Sequence, residues 1–296
     1  MLGIVGTVPE EDFPRIHGRA MFDGTRLSVS GREIDVNRGT PALLATACRM
    51  SEVLGLEPPV AFLAGDIGLG HGSRELYSWL AGNVADCELT TMAFHYLQPD
   101  VDGHSKVLLA VQAMARPPRL IADAGFMYAA KMSGQSPEYE LFTPDAGELA
   151  FLADEKAPHP FYTRGFILAE DNDVPELIAM AYRHDNAARY LLVKGRDDRV
   201  ADKTGILFTV DTPRVEALEA MGGTGDTLTG IVSCLIQAGL STPEAARLAA
   251  AVNRTAGALS DPDPASQIMD IIPCLPRAYE SLISEHKVSQ VRGEVS

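Results

Sequence analysis

Cysteine is scarce in this chain: 4 in 296 residues, at positions 48, 87, 234 and 274, with no Cys-x-x-Cys pair. That scatter excludes a zinc ribbon and a disulfide framework, and leaves buried reduced thiols of the kind a cytoplasmic protein carries. Basic residues are also few, 25 Lys and Arg against 40 Asp and Glu, for a formal net charge of −15. Phosphate backbones are bound by clustered Lys and Arg, so no nucleic-acid partner is expected. The same acidity offers no general attraction to anions, so any nucleotide has to be held by local N–H groups and a metal ion. No apolar run reaches the roughly eighteen residues of a spanning helix, and no membrane partner is expected. The stretch from Met1 to Asp12 has no basic region before its short apolar run and then turns acidic, so no secretory leader is expected. GxxxxGK[ST] is absent too, which removes the commonest nucleoside-triphosphate loop. With neither an internal repeat nor a low-complexity linker, a single domain over residues 1–296 is the simpler organisation.

What the chain does have is an ordinary globular composition, 46% apolar and 22% charged, and one conspicuous loop, Met221-Gly222-Gly223-Thr224-Gly225-Asp226-Thr227-Leu228. An apolar stretch follows as far as Gly239, so the loop passes straight into a buried helix. A helix N-terminus carries unpaired N–H groups and the positive end of the macrodipole, and so attracts phosphate oxygens. Glycines at 222, 223 and 225 admit an anion without a Cβ in its way. Asp226 is the odd member, because a carboxylate there repels the phosphate that the turn would hold. Either it only complements the helix dipole, or it takes a proton from a substrate hydroxyl as that oxygen attacks phosphorus.

Other stretches follow a rhythm of strand, turn and helix. Residues 60–64 form an apolar strand that feeds Gly65-Asp66-Ile67-Gly68-Leu69-Gly70, and this spacing is not the GxGxxG of a dinucleotide site. Residues 119–122 read as a buried strand ending on Asp123. In Thr143-Pro144-Asp145-Ala146-Gly147-Glu148, Glu148 either closes a capping box or steers the waters of a nucleotide-borne Mg²⁺. A strand from Arg189 ends in Lys194-Gly195, whose lysine either approaches phosphate or is solvated. Asp86, His95, Asp100, Asp102 and His104 either bind a metal or are solvated loop residues, since no local spacing dictates a site. Helices are expected from Pro41 to about Gly55, from about Pro175 to Asn186, and from a Thr242 cap to about Leu259. Residues 155–170 read as irregular, residues 21–33 as a hairpin or edge elaboration, Asp202-Lys203-Thr204-Gly205 as a hairpin turn, and residues 285–296 as a frayed tail. The alternation argues a three-layer, doubly wound, mainly parallel α/β sheet.

These motifs, in this order, resemble the ribokinase-like superfamily, and within it the ADP- or ATP-dependent NAD(P)H-hydrate dehydratases. That branch carries Gly-(Thr/Ser)-Gly-Asp-x-Leu-x-Gly-Ile, which residues 223–231 match throughout. The resemblance covers residues 60–260, and residues 1–59 match less clearly. It implies Asp226 as the base, an anion hole from the N–H groups of Gly223, Thr224 and Gly225, and Glu148 as an indirect Mg²⁺ holder. It also implies a nucleotide along Lys194, Gly195, Gly222 and Thr227, and a small-molecule substrate along Asp66, Gly68, Gly70, Asp123 and Asp145. The implied activity phosphorylates the ring hydroxyl of hydrated NADH or NADPH with ADP or ATP and then eliminates phosphate, in a cytoplasmic homo-oligomer. A kinase of a small alcohol and a catalytically silent nucleotide sensor are the alternatives. Three departures fall on the acceptor side: Asp66-Ile67 where the family has proline, Gly125 in place of a second acid, and Asp145 at the third place of the Thr-Pro motif.

Overall fold

Short apolar runs alternating with helical periodicities pair, in the computed structural model, into one eleven-stranded sheet with helices on both faces. The structure describes residues 1–158, 174–263 and 265–293. The central strands are β1 (Leu2–Val8), β5 (Val60–Gly65), β6 (Thr91–His95), β7 (Arg119–Ala122), β8 (Leu141–Phe142) and β9 (Tyr190–Val193), all parallel to their central neighbours. Beyond β9 run the antiparallel strands β10 (Asp198–Asp202) and β11 (Gly205–Val210). Beyond β5 run β2 (Ile16–Phe22), β3 (Leu27–Val29) and β4 (Arg32–Ile34), also antiparallel. The order across the sheet is β11-β10-β9-β8-β7-β6-β1-β5-β2-β3-β4.

Side chains alternate between the two faces. Ile4, Ala93 and Ile121 point into one core with α1 (Thr40–Val53), α7 (Thr224–Gln237), α8 (Thr242–Leu259), α9 (Ile268–Ile271) and α10 (Leu275–Gly293). Val5, Phe94 and Ala122 point into the other, against α2 (His71–Asn83), α3 (Val101–Gln112), α4 (Gly125–Met132), α5 (Ala146–Ala153) and α6 (Val174–Arg183). The result is the doubly wound three-layer architecture that the alternation predicts.

Two central strands escape a reading of local pattern. Residues 2–8, read above only for a leader, form β1 with every residue buried. Residues 91–95, read as part of a solvated or metal-binding stretch, form β6, also wholly buried. Such continuous burial is expected of strands covered on both faces. The hairpin read at 21–33 widens into the three-stranded meander β2 to β4, and the tail read as frayed continues as α10 to Gly293. The cap of α8 is Ser241, one residue earlier than Thr242. Most of the irregular stretch read at 155–170 lies outside the described residues.

The chain leaves β1 for β5 on one side and returns to β6 on the other. This reversal of strand order opens a crevice outside the carboxyl ends of the strands, where open α/β sheets bind ligands.

Candidate active site

Gly223 caps α7 in the left-handed region (φ 102°), and a Cβ there would lie 2.5 Å from Ile268 Cγ1, so the position requires glycine. The turn it makes aims the first N–H groups of α7 into a cleft of about 530 Å³. Gly222, Gly223, Thr224, Gly225 and Asp226 line that cleft. Asp226 is 9% exposed, and among the described residues no arginine pairs with it. Its Oδ2 accepts the Gly39 N–H at 2.6 Å, and its Oδ1 lies 3.0 Å from His95 Nε2.

His95, at the carboxyl end of β6, is fully buried, and its Nδ1 lies 3.1 Å from the Thr40 hydroxyl. On the next strand, Asp123 Oδ1 accepts Lys194 Nζ at 2.8 Å and the Ala124 N–H at 2.8 Å. Asp123 Oδ2 accepts the Thr229 hydroxyl at 2.6 Å and lies 3.7 Å from His95 Nε2. Burial alone would raise the Asp123 pKa, but the Lys194 charge, His95 and the hydrogen bonds outweigh it and hold the carboxyl below its usual range. Burial likewise opposes the charge on Lys194, yet Asp123 and Glu148 keep that ammonium firmly protonated. Lys194 lines the cleft beside Gly225, but its charge is already engaged by Asp123. Gly195 also lines the cleft, and its N–H donates to Asp198.

Asp145 and Glu148 close a capping box at the entrance to α5: the Glu148 N–H donates to Asp145 Oδ1 at 2.7 Å and the Asp145 N–H to Glu148 Oε2 at 2.9 Å. The Tyr128 hydroxyl donates to the other Glu148 oxygen at 3.1 Å. Burial, joined by the carboxylates of Asp145 and Asp123 and opposed by Lys194, pushes the Glu148 pKa up to about 8. Both acids also line the cleft, so capping does not remove them from it. Among the described residues no group of three His, Cys, Asp or Glu could hold a metal directly. This donor set fits an ion carried by a nucleotide and held through its waters, and not a protein-built cage.

Three residues expected on the substrate side are placed elsewhere. Asp66 accepts the N–H groups of Gly68 at 3.0 Å and Gly70 at 2.9 Å, and both the N–H and hydroxyl of Ser73 at 2.9 and 2.7 Å. Its carboxylate is spent on folding the entrance to α2, and Asp66, Gly68 and Gly70 do not line the cleft. Thr227, expected beside the nucleotide, is buried and does not itself line the cleft; it bonds Asn253 Oδ1 at 2.6 Å and the Thr224 carbonyl at 2.8 Å, tying α7 to α8 behind those two lining residues. Gly125 has a steric reason: a Cβ there would lie 2.1 Å from the Leu97 carbonyl oxygen, so the acid found in the family cannot fit.

The cleft also gathers residues that the motifs did not announce. Arg38 comes from the poorly matched N-terminal part, and Arg196, Arg214 and Arg254 bring cations to an acidic chain. Arg254 is paired with Asp198 at 2.7 Å and Arg214 with Asp197 at 2.6 Å. The residues after the two strand-end polar groups, Tyr96 (φ 51°) and Ala124 (φ 49°), both hold left-handed backbone and both line the cleft. Strain of this kind collects at functional sites. A detectable signal existed for His95, because an apolar run ending on a polar side chain is the same pattern that singled out Asp123.

The profile of the NAD(P)H-hydrate dehydratase family matches residues 99–273, more than half of the chain. The chain belongs to this family. An uncharacterized protein of Methanocaldococcus jannaschii is 41% identical over 220 residues, covering 74% of this chain and 90% of that one. The bifunctional NAD(P)H-hydrate repair enzyme Nnr of Pyrobaculum aerophilum is 32% identical over 156 residues, which are 48% of this dehydratase-family chain but only 27% of that enzyme. Among solved structures, a ribokinase-like superfamily protein of Enterococcus faecalis superposes with a TM-score of 0.56 at 15% identity, covering 95% of this chain and 86% of that one. The pyridoxal kinase of Staphylococcus aureus, solved with AMP-PCP and pyridoxal, gives 0.55 at 14% identity, covering 86% and 88%. At such identities these two likenesses establish the ribokinase-like fold alone.

Proposed function

We propose that this member of the family is a nucleotide-dependent dehydratase that repairs hydrated NADH or NADPH. The observation that carries the reading is the Asp226 carboxylate, fixed at both oxygens and lining the cleft beside the N-terminal N–H groups of α7. The ring hydroxyl of the hydrate attacks the terminal phosphorus of ADP or ATP while Asp226 takes its proton. A new P–O bond forms, and the bond to the bridging oxygen breaks to release AMP or ADP. The N–H groups of Gly223, Thr224 and Gly225 stabilise the charge on the transferring group. In the second stage the ring C–O bond breaks, phosphate departs, and loss of the neighbouring C–H proton restores the ring double bond. Mg²⁺ on the nucleotide neutralises phosphate charge when bound, and Asp145 and Glu148 are the cleft carboxylates that would hold its waters. Lys194, held by Asp123, contributes a fixed positive charge beside Gly225. The four cysteines are all free, which supports a reducing, cytoplasmic place of work.

The test is direct. Purified protein incubated with Mg²⁺, hydrated NADH and either ADP or ATP is expected to regenerate the reduced-nicotinamide absorbance, with one phosphate released per ring restored. Absence of that recovery, together with a stable phosphate ester from a panel of small alcohols and ATP, would replace the dehydratase with a kinase.

A further inference from the structure

His95 is the polar end of a wholly buried strand. A buried imidazole is costly unless both ring nitrogens are bonded, and here both are. Nε2 faces two carboxylates, Asp226 Oδ1 at 3.0 Å and Asp123 Oδ2 at 3.7 Å. A bare nitrogen lone pair in that place would be repelled by both, so the proton belongs on Nε2, and the Thr40 hydroxyl donates to Nδ1. The groups around the ring are Asp226 from α7, Asp123 just past β7 with Lys194 behind it, Thr40 from α1, and Tyr96, whose ring stands edge-on at 4.4 Å.

The consequence concerns Asp226 more than His95. The Gly39 N–H holds Oδ2 and the His95 N–H holds Oδ1, which fixes the plane of the carboxylate. A base must meet the hydroxyl hydrogen along a narrow approach, and small misplacements cost rate. We propose that His95 is the positioning residue for Asp226: it donates Nε2–H to Oδ1, is itself oriented by Thr40, and so turns the remaining lone pairs of the carboxylate toward the acceptor hydroxyl. This rests on the reading of Asp226 as the base. His95 lines the cleft but is almost wholly buried behind Asp226, so it acts through that carboxylate.

Two measurements decide it. Long-range ¹⁵N–¹H spectra of the wild-type protein are expected to show His95 with its hydrogen on Nε2, and a shifted ring signal in Asp226→Asn; a hydrogen on Nδ1 alone overturns the assignment. In kinetics, His95→Gln keeps an amide N–H that can reach Asp226, whereas His95→Leu fills similar space without a donor. The Leu variant is expected to lose about 30-fold in kcat and the Gln variant no more than about 5-fold, with nucleotide KM within about twofold in both. The acid limb of the kcat profile is expected to move in the Leu variant only. Equal losses in the two variants, or none, would make His95 a packing residue. If His95→Leu fails to fold, Thr40→Val takes its place, with a loss of about 5-fold that Thr40→Ser restores. Absence of turnover in the wild type counts against the dehydratase reading, whereas the tautomer spectrum needs no turnover and judges the histidine alone.

Discussion

A carboxylate in the first turn of a helix competes for the place a phosphate would take, and at Asp226 two donors resolve that conflict. The Gly39 N–H and His95 hold its oxygens, so the side chain stands on the cleft wall and leaves the helix N–H groups open. If Asp226 is the base, Asp226→Asn preserves shape, keeps one of the two acceptor oxygens and cannot take a proton. Its kcat is expected to fall at least about a hundredfold while nucleotide affinity, followed by titration calorimetry, changes less than about threefold. Near-normal turnover in that variant would remove Asp226 from the chemistry. Residues of this kind were legible when they sat in a local pattern, as Gly223, Asp123 and Glu148 do. The pairing of Gly39 and His95 with Asp226 was not, because they lie 187 and 131 residues from it in the chain and meet it only through the fold. Asp66 shows the opposite difficulty. A glycine loop after a strand looks the same whether its acid faces a ligand or folds its own turn, and here four short hydrogen bonds fold the turn.

At the scale of elements, helices and strands with strong periodicity were legible, α1, α7, α8 and β5 among them. β6 was hidden by its length and by its polar ends, Thr91 and His95, which resemble loop residues until both faces are covered. β8 is only two residues long and owes its place to β7 and β9 on either side. The same covering explains His104 of α3, read as solvated or metal-binding but fully buried between Tyr139 and Ser133, with Nε2 2.8 Å from the tyrosine oxygen and Nδ1 3.0 Å from the serine oxygen. Burial lowers its pKa from 6.5 to about 4 despite a small opposing contribution from Gln135. Between those two values the unfolded chain binds a proton that the folded one refuses, so stability is lost as pH falls through this window. The full effect is roughly 3 kcal/mol. Thermal melts of wild type and His104→Gln across the window are expected to converge at the acid end, the variant being the less pH-sensitive. Parallel curves would show that the ring titrates normally.

For the molecule as a whole, the question is how a chain of net charge −15 would receive an anionic nucleotide, if that is its donor. The cleft carries five cations, Arg38, Lys194, Arg196, Arg214 and Arg254, against the carboxylates of Asp123, Asp145, Asp198, Glu219 and Asp226 and the largely protonated Glu148. Several of these are already paired with one another, so the cleft is close to balanced and projects little attraction outward. At a distance an approaching nucleotide would therefore meet the repulsion of the whole acidic surface. Only at contact would the arginines and the α7 N–H groups act on it. Salt screens the long-range part first, since the Debye length shrinks from about 30 Å at 0.01 M to about 8 Å at physiological ionic strength. If a nucleotide is the donor, its association rate in stopped-flow measurements is expected to rise as salt is added over that range, the reverse of a steered encounter. Arg38→Gln and Arg196→Gln are expected to speed dissociation more than they slow association. A rate that instead falls steeply with salt would mean that the arginines govern the approach as well as the grip, and that the surface charge is arranged so that its acidic part faces away from the cleft.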